Sequence, residues 1–140
     1  MTVFLSILSG ALLSIMIAMN SDLSSTMGVY YSVALIHLIG LILIIIILKI
    51  KQISMKYHKN IPWYWYSGGA IGILTTVFQN LTVSNMGVSK TLALALLGQS
   101  VVSIIIEKYG WFETPKKVVN RKHFIGIGFI LCGILVMFIY

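Results

Sequence analysis

Long apolar runs separated by short polar stretches dominate the pattern of this chain. Five runs approach the about 20 residues that a helix needs to cross the hydrocarbon core of a bilayer. They cover residues 3–19, 29–50, 64–82, 91–106 and 124–140. These runs take up nearly every residue and leave no room for a water-soluble domain. The pattern predicts an all-α, polytopic membrane protein, with one domain of five transmembrane helices over residues 1–140.

The composition supports lipid rather than water as the solvent of this chain. Its mean hydropathy is +0.99, with 59% hydrophobic and 9% charged residues, which is too little polar surface to cover a water-facing globule. The first run has no basic segment before it and no small-residue cleavage site after it. We therefore expect it to remain as the first helix and not to be removed as a signal peptide.

The positive charges are distributed unevenly and predict one orientation. Nine of the ten lysines and arginines lie in two segments, Lys49–Lys59 and Lys108–Lys122, and only Lys90 lies elsewhere. Short loops rich in Lys and Arg stay on the cytoplasmic side of a membrane. This places the N-terminus in the cytoplasm and the C-terminus outside the cytoplasmic membrane. The net charge of +7 then reflects orientation and contact with anionic lipid, and we expect no nucleic-acid partner.

Small residues recur at helical spacing in several runs. In the first run, positions 6, 10, 14, 18 and 22 are all small or polar, which places them on one face. Such a face lets a second helix approach closely, and it can also line a cavity; both readings stay open. The candidate helix-packing glycines are Gly10, Gly68, Gly72, Gly98, Gly126 and Gly133.

Polar residues on the fourth run also repeat every four positions. Gln99, Ser103 and Glu107 share one face. An unpaired amide in hydrocarbon costs several kcal/mol, so Gln99 is expected to face a helix, water or substrate. Glu107 lies beside Lys108 at the end of the run, where it can form an interfacial ion pair or reach to the membrane surface, or alternatively bind a proton or cation.

Other polar side chains fall within or near the predicted spans. His37 lies mid-span, where a histidine can relay protons or can stay neutral and bond to a backbone carbonyl. Together, the candidate residues of a substrate pathway are Ser14, Asn20, His37, Gln79, Asn80, Gln99, Ser103 and Glu107.

Catalytic and cofactor chemistry have no signature in this sequence. His37, His58 and His123 fall in different segments, and no nucleophile–base pair or metal-ligand spacing is present. The single cysteine, Cys132, excludes an internal disulfide and a multi-cysteine metal site. No phosphate-binding loop is found. We therefore expect no enzyme activity, no catalytic residues, no metal and no cofactor.

Several glycines and polar residues resemble a known pattern. The strongest match runs through Gly68, Gly69, Gly72, Gly87, Gly98, Gln99, Ser103, Glu107 and Gly110. A first hairpin is matched by Gly10, Asn20, Leu23, Gly28 and Gly40. The chain thereby resembles the YdcZ-like branch of the drug/metabolite transporter superfamily, small inner-membrane proteins of five helices. It departs from that pattern at Met16, where a glutamine is expected, at Glu107, where aspartate is usual, and at His37, where an aromatic is common.

The resemblance implies half of an inverted-repeat transporter. Larger superfamily members resemble two five-helix repeats in opposite orientation, with substrate held between them. A five-helix chain then needs its other half on a second polypeptide. An antiparallel homodimer would place nine positive charges outside in half of the copies, so we expect an antiparallel heterodimer with a paralogous subunit. The expected function is export of a small metabolite or drug-like solute by alternating access; the alternative is a non-transporting scaffold or regulatory subunit.

Overall fold

The computed structural model describes residues 1–53 and 62–139, and these are helical almost throughout. The predictions for Lys56, Lys59, His58 and Tyr140 lie outside the described residues. The described residues form four α-helices: α1 (Thr2–Met27), α2 (Val29–Ile50), α3 (Gly68–Tyr109) and α4 (Arg121–Ile139). Two short 3-10 helices, Trp63–Ser67 and Trp111–Glu113, precede and follow α3. The prediction of an all-helical fold is confirmed for this part of the chain.

The helix bounds follow the apolar runs, with informative differences. The apolar segments Thr2–Met27, Val29–Ile50 and Tyr64–Tyr109 are long enough to cross a bilayer, and His123–Ile139 is a shorter apolar segment. The bounds of α2 agree with the predicted 29–50. The predicted third and fourth helices are parts of the single α3, which is 42 residues long. The described residues form four α-helices rather than the predicted five because α3 is counted as continuous across Gly87, the one residue inside it whose backbone is not helical.

Two glycines, Gly28 and Gly87, interrupt the helical backbone between the predicted spans. The helical backbone of α1 continues up to Gly28 (φ 85°, ψ 154°), and α2 begins directly after it. The backbone of α3 is helical up to Gly87 (φ 80°, ψ 169°) and is helical again directly after it. Glycine adopts a positive φ at no steric cost. A break of one residue leaves few backbone groups unpaired, which suits a chain in lipid. Both glycines occur in the same tripeptide, Met-Gly-Val, followed by a hydroxyl residue four positions after the glycine.

The chain divides into two compact units, Met1–Asn85 and Met86–Tyr140. In the first unit, α1 and α2 pack against each other as a helical hairpin, and Ile17 and Val33 are its buried apolar residues together with Val83. In the second unit Ile134 is buried, and the Lys90 ammonium lies 5.0 Å from the centre of the Phe138 ring. Most other large apolar side chains are exposed, as expected where lipid is the solvent.

Candidate functional site

A buried cluster of one amide and two hydroxyls joins α1, α2 and α3 within the first unit. Asn80 Nδ2 donates a hydrogen bond to Ser24 Oγ at 2.7 Å, and Ser24 Oγ lies 2.7 Å from Ser32 Oγ. The exposed fractions are 1% for Asn80, 8% for Ser24 and 0% for Ser32. We call these three residues the amide–hydroxyl cluster. It connects α1, α2 and α3 at their most enclosed point.

The turn at Gly28 explains why the two serines meet. Ser24 lies four residues before Gly28 and Ser32 four residues after it, so each is one helical turn from the break. The Gly28 conformation lets α2 fold back so that both hydroxyls point at each other. Each hydroxyl also has a backbone acceptor on its own helix at 2.8 Å, Asn20 O for Ser24 and Val29 O for Ser32.

One atom of the cluster has no partner. Asn80 Oδ1 is buried and makes no hydrogen bond within the described structure. Reversing the amide would satisfy the oxygen through Ser24 Oγ but leave Nδ2 without an acceptor, so one polar atom stays unpaired in either orientation. Burial of an unsatisfied polar atom costs about 1–3 kcal/mol. The described structure therefore keeps Asn80 Oδ1 buried and unpaired at a cost in stability.

A second feature of this unit is a pocket beside His37. The pocket has a volume of about 190 Å³ and is lined by Tyr30, Val33, Ala34, His37, Ile73 and Val77. His37 Nδ1 lies 2.9 Å from Val33 O. A carbonyl oxygen only accepts, so Nδ1 carries a proton, and Nε2 is the ring nitrogen left for other contacts. The pocket thus combines apolar walls with one half-buried imidazole.

In the second unit, Glu107 pairs with a lysine from the following loop. Lys117 Nζ lies 3.2 Å from Glu107 Oε1, and the Lys117 backbone N–H donates to Glu107 O at 3.0 Å. The partner is thus ten residues further along the chain and not the adjacent Lys108. Glu107 and Ser103 both line a cavity of about 420 Å³, which also reaches Ser100 and His123. This places two of the predicted pathway residues in one cavity.

The remaining predicted pathway residues are not brought together within either unit. Ser14 Oγ donates to Gly10 O of its own helix at 3.0 Å. Asn20 and Gln79 are half-buried, and Gln99 is exposed on the surface of α3. A pathway role for these residues stays a prediction.

The candidate packing glycines lie on open surfaces. A methyl group added at Gly10, Gly68, Gly72, Gly98, Gly126 or Gly133 would meet no atom within 4 Å. The close helix contact that their spacing predicts is not made inside the described chain. Close packing of a helix from a second polypeptide against these glycines stays a prediction.

Three contributing residues were not expected from the sequence. Ser24 and Ser32 were missed because their pairing depends on the reversal at Gly28, although their equal spacing from that glycine is a usable signal. Lys117 was missed because it reaches Glu107 through the conformation of the loop after Gly110.

Long apolar helices, charged ends and a few buried polar groups define a membrane protein. Comparison with known families is specific: residues 1–136 match the family described as "Putative inner membrane exporter, YdcZ". The chain therefore belongs to the YdcZ family, which is described as a family of membrane exporters. No curated protein and no solved structure matches it.

Proposed function

We propose that this chain is one half of a secondary transporter that exports a small metabolite or drug-like solute by alternating access. The observation that carries the proposal is the unpartnered amide oxygen of Asn80. Asn80 is 1% exposed in the described structure, so a solute with an N–H or O–H group would pair with its oxygen only when the helices around it separate during alternating access. Apolar walls such as those beside His37 would then hold the rest of the solute. Small neutral, zwitterionic or amphipathic molecules have this combination of groups.

Five membrane crossings are part of this proposal. A helix rises about 1.5 Å per residue, so the 42 residues of α3 have about twice the length needed to cross a hydrocarbon core of about 30 Å. Gly87 divides α3 into two stretches, each close to one crossing in length. With α1, α2 and α4, these two stretches give five.

The proposed partner is a paralogous five-helix subunit in the opposite orientation. Lys49 and Lys51 follow α2, and Lys108, Lys116, Lys117 and Arg121 follow α3, so these basic residues share one side of a five-span arrangement. We infer that the N-terminus is cytoplasmic, because basic loops stay inside. A partner of reversed charge distribution would supply the second half, and the open glycine surfaces would receive it.

Orientation is tested by cysteine labelling from outside the cell. Ile53→Cys and Ser84→Cys, each in a Cys132→Ser background, would report on opposite sides of the membrane. We expect Ser84→Cys alone to react with a membrane-impermeant maleimide in intact cells. Equal labelling of both positions would show a dual orientation and remove the argument for a heterodimer.

Transport is tested with everted membrane vesicles from cells that express the chain together with its co-purifying partner. The vesicles receive a panel of amino acids, small amines and amphipathic dyes, and uptake is measured by mass spectrometry. Asn80→Leu should abolish the uptake that the wild-type chain supports. Asn85→Leu is the matched control, because Asn85 lies on the same helix but is exposed and bonds to Leu81 O.

The outcomes separate transport from the alternative function. Equal uptake by both variants would remove Asn80 from the pathway. The alternative is a non-transporting scaffold or regulatory subunit, which the open surfaces around six glycines favour. That function would give no solute uptake above vesicles lacking the chain, together with retained binding of the partner.

A further inference from the structure

The second unit contains a groove with basic and apolar walls that the transport proposal does not use. Its volume is about 730 Å³, within the range of roughly 300–1,000 Å³ typical of ligand sites. One part of its wall is formed by Lys108, Lys116 and Lys117, and another part by apolar side chains that include Val101, Ile105 and Phe124. We propose that this groove binds one anionic phospholipid, with the phosphate at the lysines and an acyl chain along the apolar wall.

The loop between α3 and α4 is built so that its lysines reach the groove. Gly110 ends α3 in the left-handed conformation (φ 69°), and its N–H donates to Ile106 O at 2.8 Å. A Cβ at Gly110 would lie 2.7 Å from Lys116 Cγ. The absence of a side chain at Gly110 therefore leaves the space that the Lys116 side chain occupies. The two contacts between Lys117 and Glu107 hold the next residue of the loop in place.

The charge of the groove is positive after internal pairing. Glu107 neutralises Lys117 at 3.2 Å. Lys108 and Lys116 have no acidic partner within the described residues, and Lys108 Nζ lies 5.6 Å from the centre of the Tyr109 ring. Two unpaired ammonium groups suit one phosphate group, since lysine binds phosphate as a point charge.

The apolar wall selects a lipid over a soluble phosphate or a nucleic acid. Phe124 is 64% exposed and Ile105 is 38% exposed, so both present apolar surface to a neighbour. A soluble anion would bind to the lysines but would not contact the apolar wall of the groove. A phospholipid contacts both walls, and basic pockets between membrane helices are known to bind lipid head groups. The α3 and α4 segments beside the groove are apolar helices of a membrane protein, so phospholipid is always within reach.

The proposal is tested by native mass spectrometry of the purified chain, titrated with phosphatidylglycerol in a neutral detergent. The variant Lys108→Gln/Lys116→Gln removes both unpaired charges of the groove. At about fivefold per lysine, it should weaken binding roughly 30-fold. The matched control is Lys49→Gln/Lys51→Gln, which removes the same charge from the exposed end of α2 and should leave binding within about twofold.

A second pair of variants tests the apolar wall. Phe124→Ala should weaken binding of phosphatidylglycerol about three- to tenfold, because it removes an aromatic ring from the acyl-chain surface. Phe129→Ala is the control, since Phe129 is also exposed on α4 but does not line the groove. Melting temperatures measured without added lipid show whether each variant is folded.

Three results would overturn the proposal. Equal losses in the two double-lysine variants would mean that lipid binds to surface charge in general. Phosphatidylcholine binding as tightly as phosphatidylglycerol would remove the role of the lysines. Displacement of the lipid by glycerol 3-phosphate at equal concentration would show that the groove binds phosphate alone. Selective loss in Lys108→Gln/Lys116→Gln and in Phe124→Ala, with both controls unchanged, is the supporting result.

Discussion

Replacing Asn80 with leucine removes a buried amide but keeps the approximate size of the side chain. The substitution loses one hydrogen bond, from Asn80 Nδ2 to Ser24 Oγ. Hydrogen bonds between side chains in membrane proteins average about 0.6 kcal/mol. It also removes Oδ1, whose unsatisfied burial costs about 1–3 kcal/mol. The second term is larger, so Asn80→Leu should range from neutral to about 2 kcal/mol more stable than wild type.

Ser24→Ala should have the opposite effect at the same cluster. It removes the acceptor of Asn80 Nδ2, so both ends of the buried amide are then unpaired. We expect a loss of about 1–3 kcal/mol in the free energy of unfolding. Ser25→Ala is the matched control, because the neighbouring Ser25 is exposed and bonds only to Asp22 O in the described structure. It should change stability by less than about 0.5 kcal/mol.

The assay is reversible unfolding in mixed micelles, titrated with a denaturing detergent and followed by circular dichroism. The reasoning would be refuted if Asn80→Leu destabilised the protein by more than about 1 kcal/mol, since that would mean that the amide is already fully paired. Combined with the vesicle assay, the expected result is a protein that is at least as stable as wild type and does not transport. Such a combination identifies an atom kept for function at some cost in stability.

Three further predictions concern backbone breaks, open glycines and the ion pair. Gly28→Ala and Gly87→Ala force a side chain into a backbone conformation with positive φ and ψ above 150°, which essentially only glycine adopts, and should each lower the free energy of unfolding by about 1–3 kcal/mol in the same assay. Gly10→Ala should stabilise the isolated chain by about 0.5–1 kcal/mol, because the added methyl group would meet no atom within 4 Å. The same substitution should weaken co-purification of a partner that packs against Gly10, and unchanged co-purification would exclude Gly10 from that contact. Glu107→Gln should cost less than about 1 kcal/mol, and high salt should abolish the difference, because Lys117 is 63% exposed. A larger, salt-independent loss would contradict a surface ion pair.

Many helix bounds can be predicted from the positions where an apolar run ends at a glycine or at charged residues. The predicted bounds of α2 agree because a continuous apolar run lies between Gly28 and the lysines at its end. The first apolar run ends at residue 19, whereas α1 continues through the polar residues after it to Met27. Polar side chains do not end a helix whose backbone remains paired. Only the conformation of Gly28 does so here.

The candidate site was less accessible to sequence reasoning. Asn80 and His37 were identified because polar groups in apolar runs are costly and therefore informative. Their neighbours depend on three-dimensional geometry: Ser32 reaches Ser24 only through the reversal at Gly28, and Lys117 reaches Glu107 only through the loop after Gly110. Side-chain pairing across a turn is set by backbone dihedral angles, which helical periodicity does not encode.

The single-residue link at Gly28 has a consequence for biogenesis. Gly28 is the single residue between α1 and α2, so no loop is present that would let one helix insert far from the other. The two helices, with hydropathies of 2.2 and 3.0, should therefore partition into the bilayer as one co-translational event, in which the more apolar α2 draws in the serine-rich α1. The serine pair beside the link would then form during synthesis, before α3 delivers Asn80 to it.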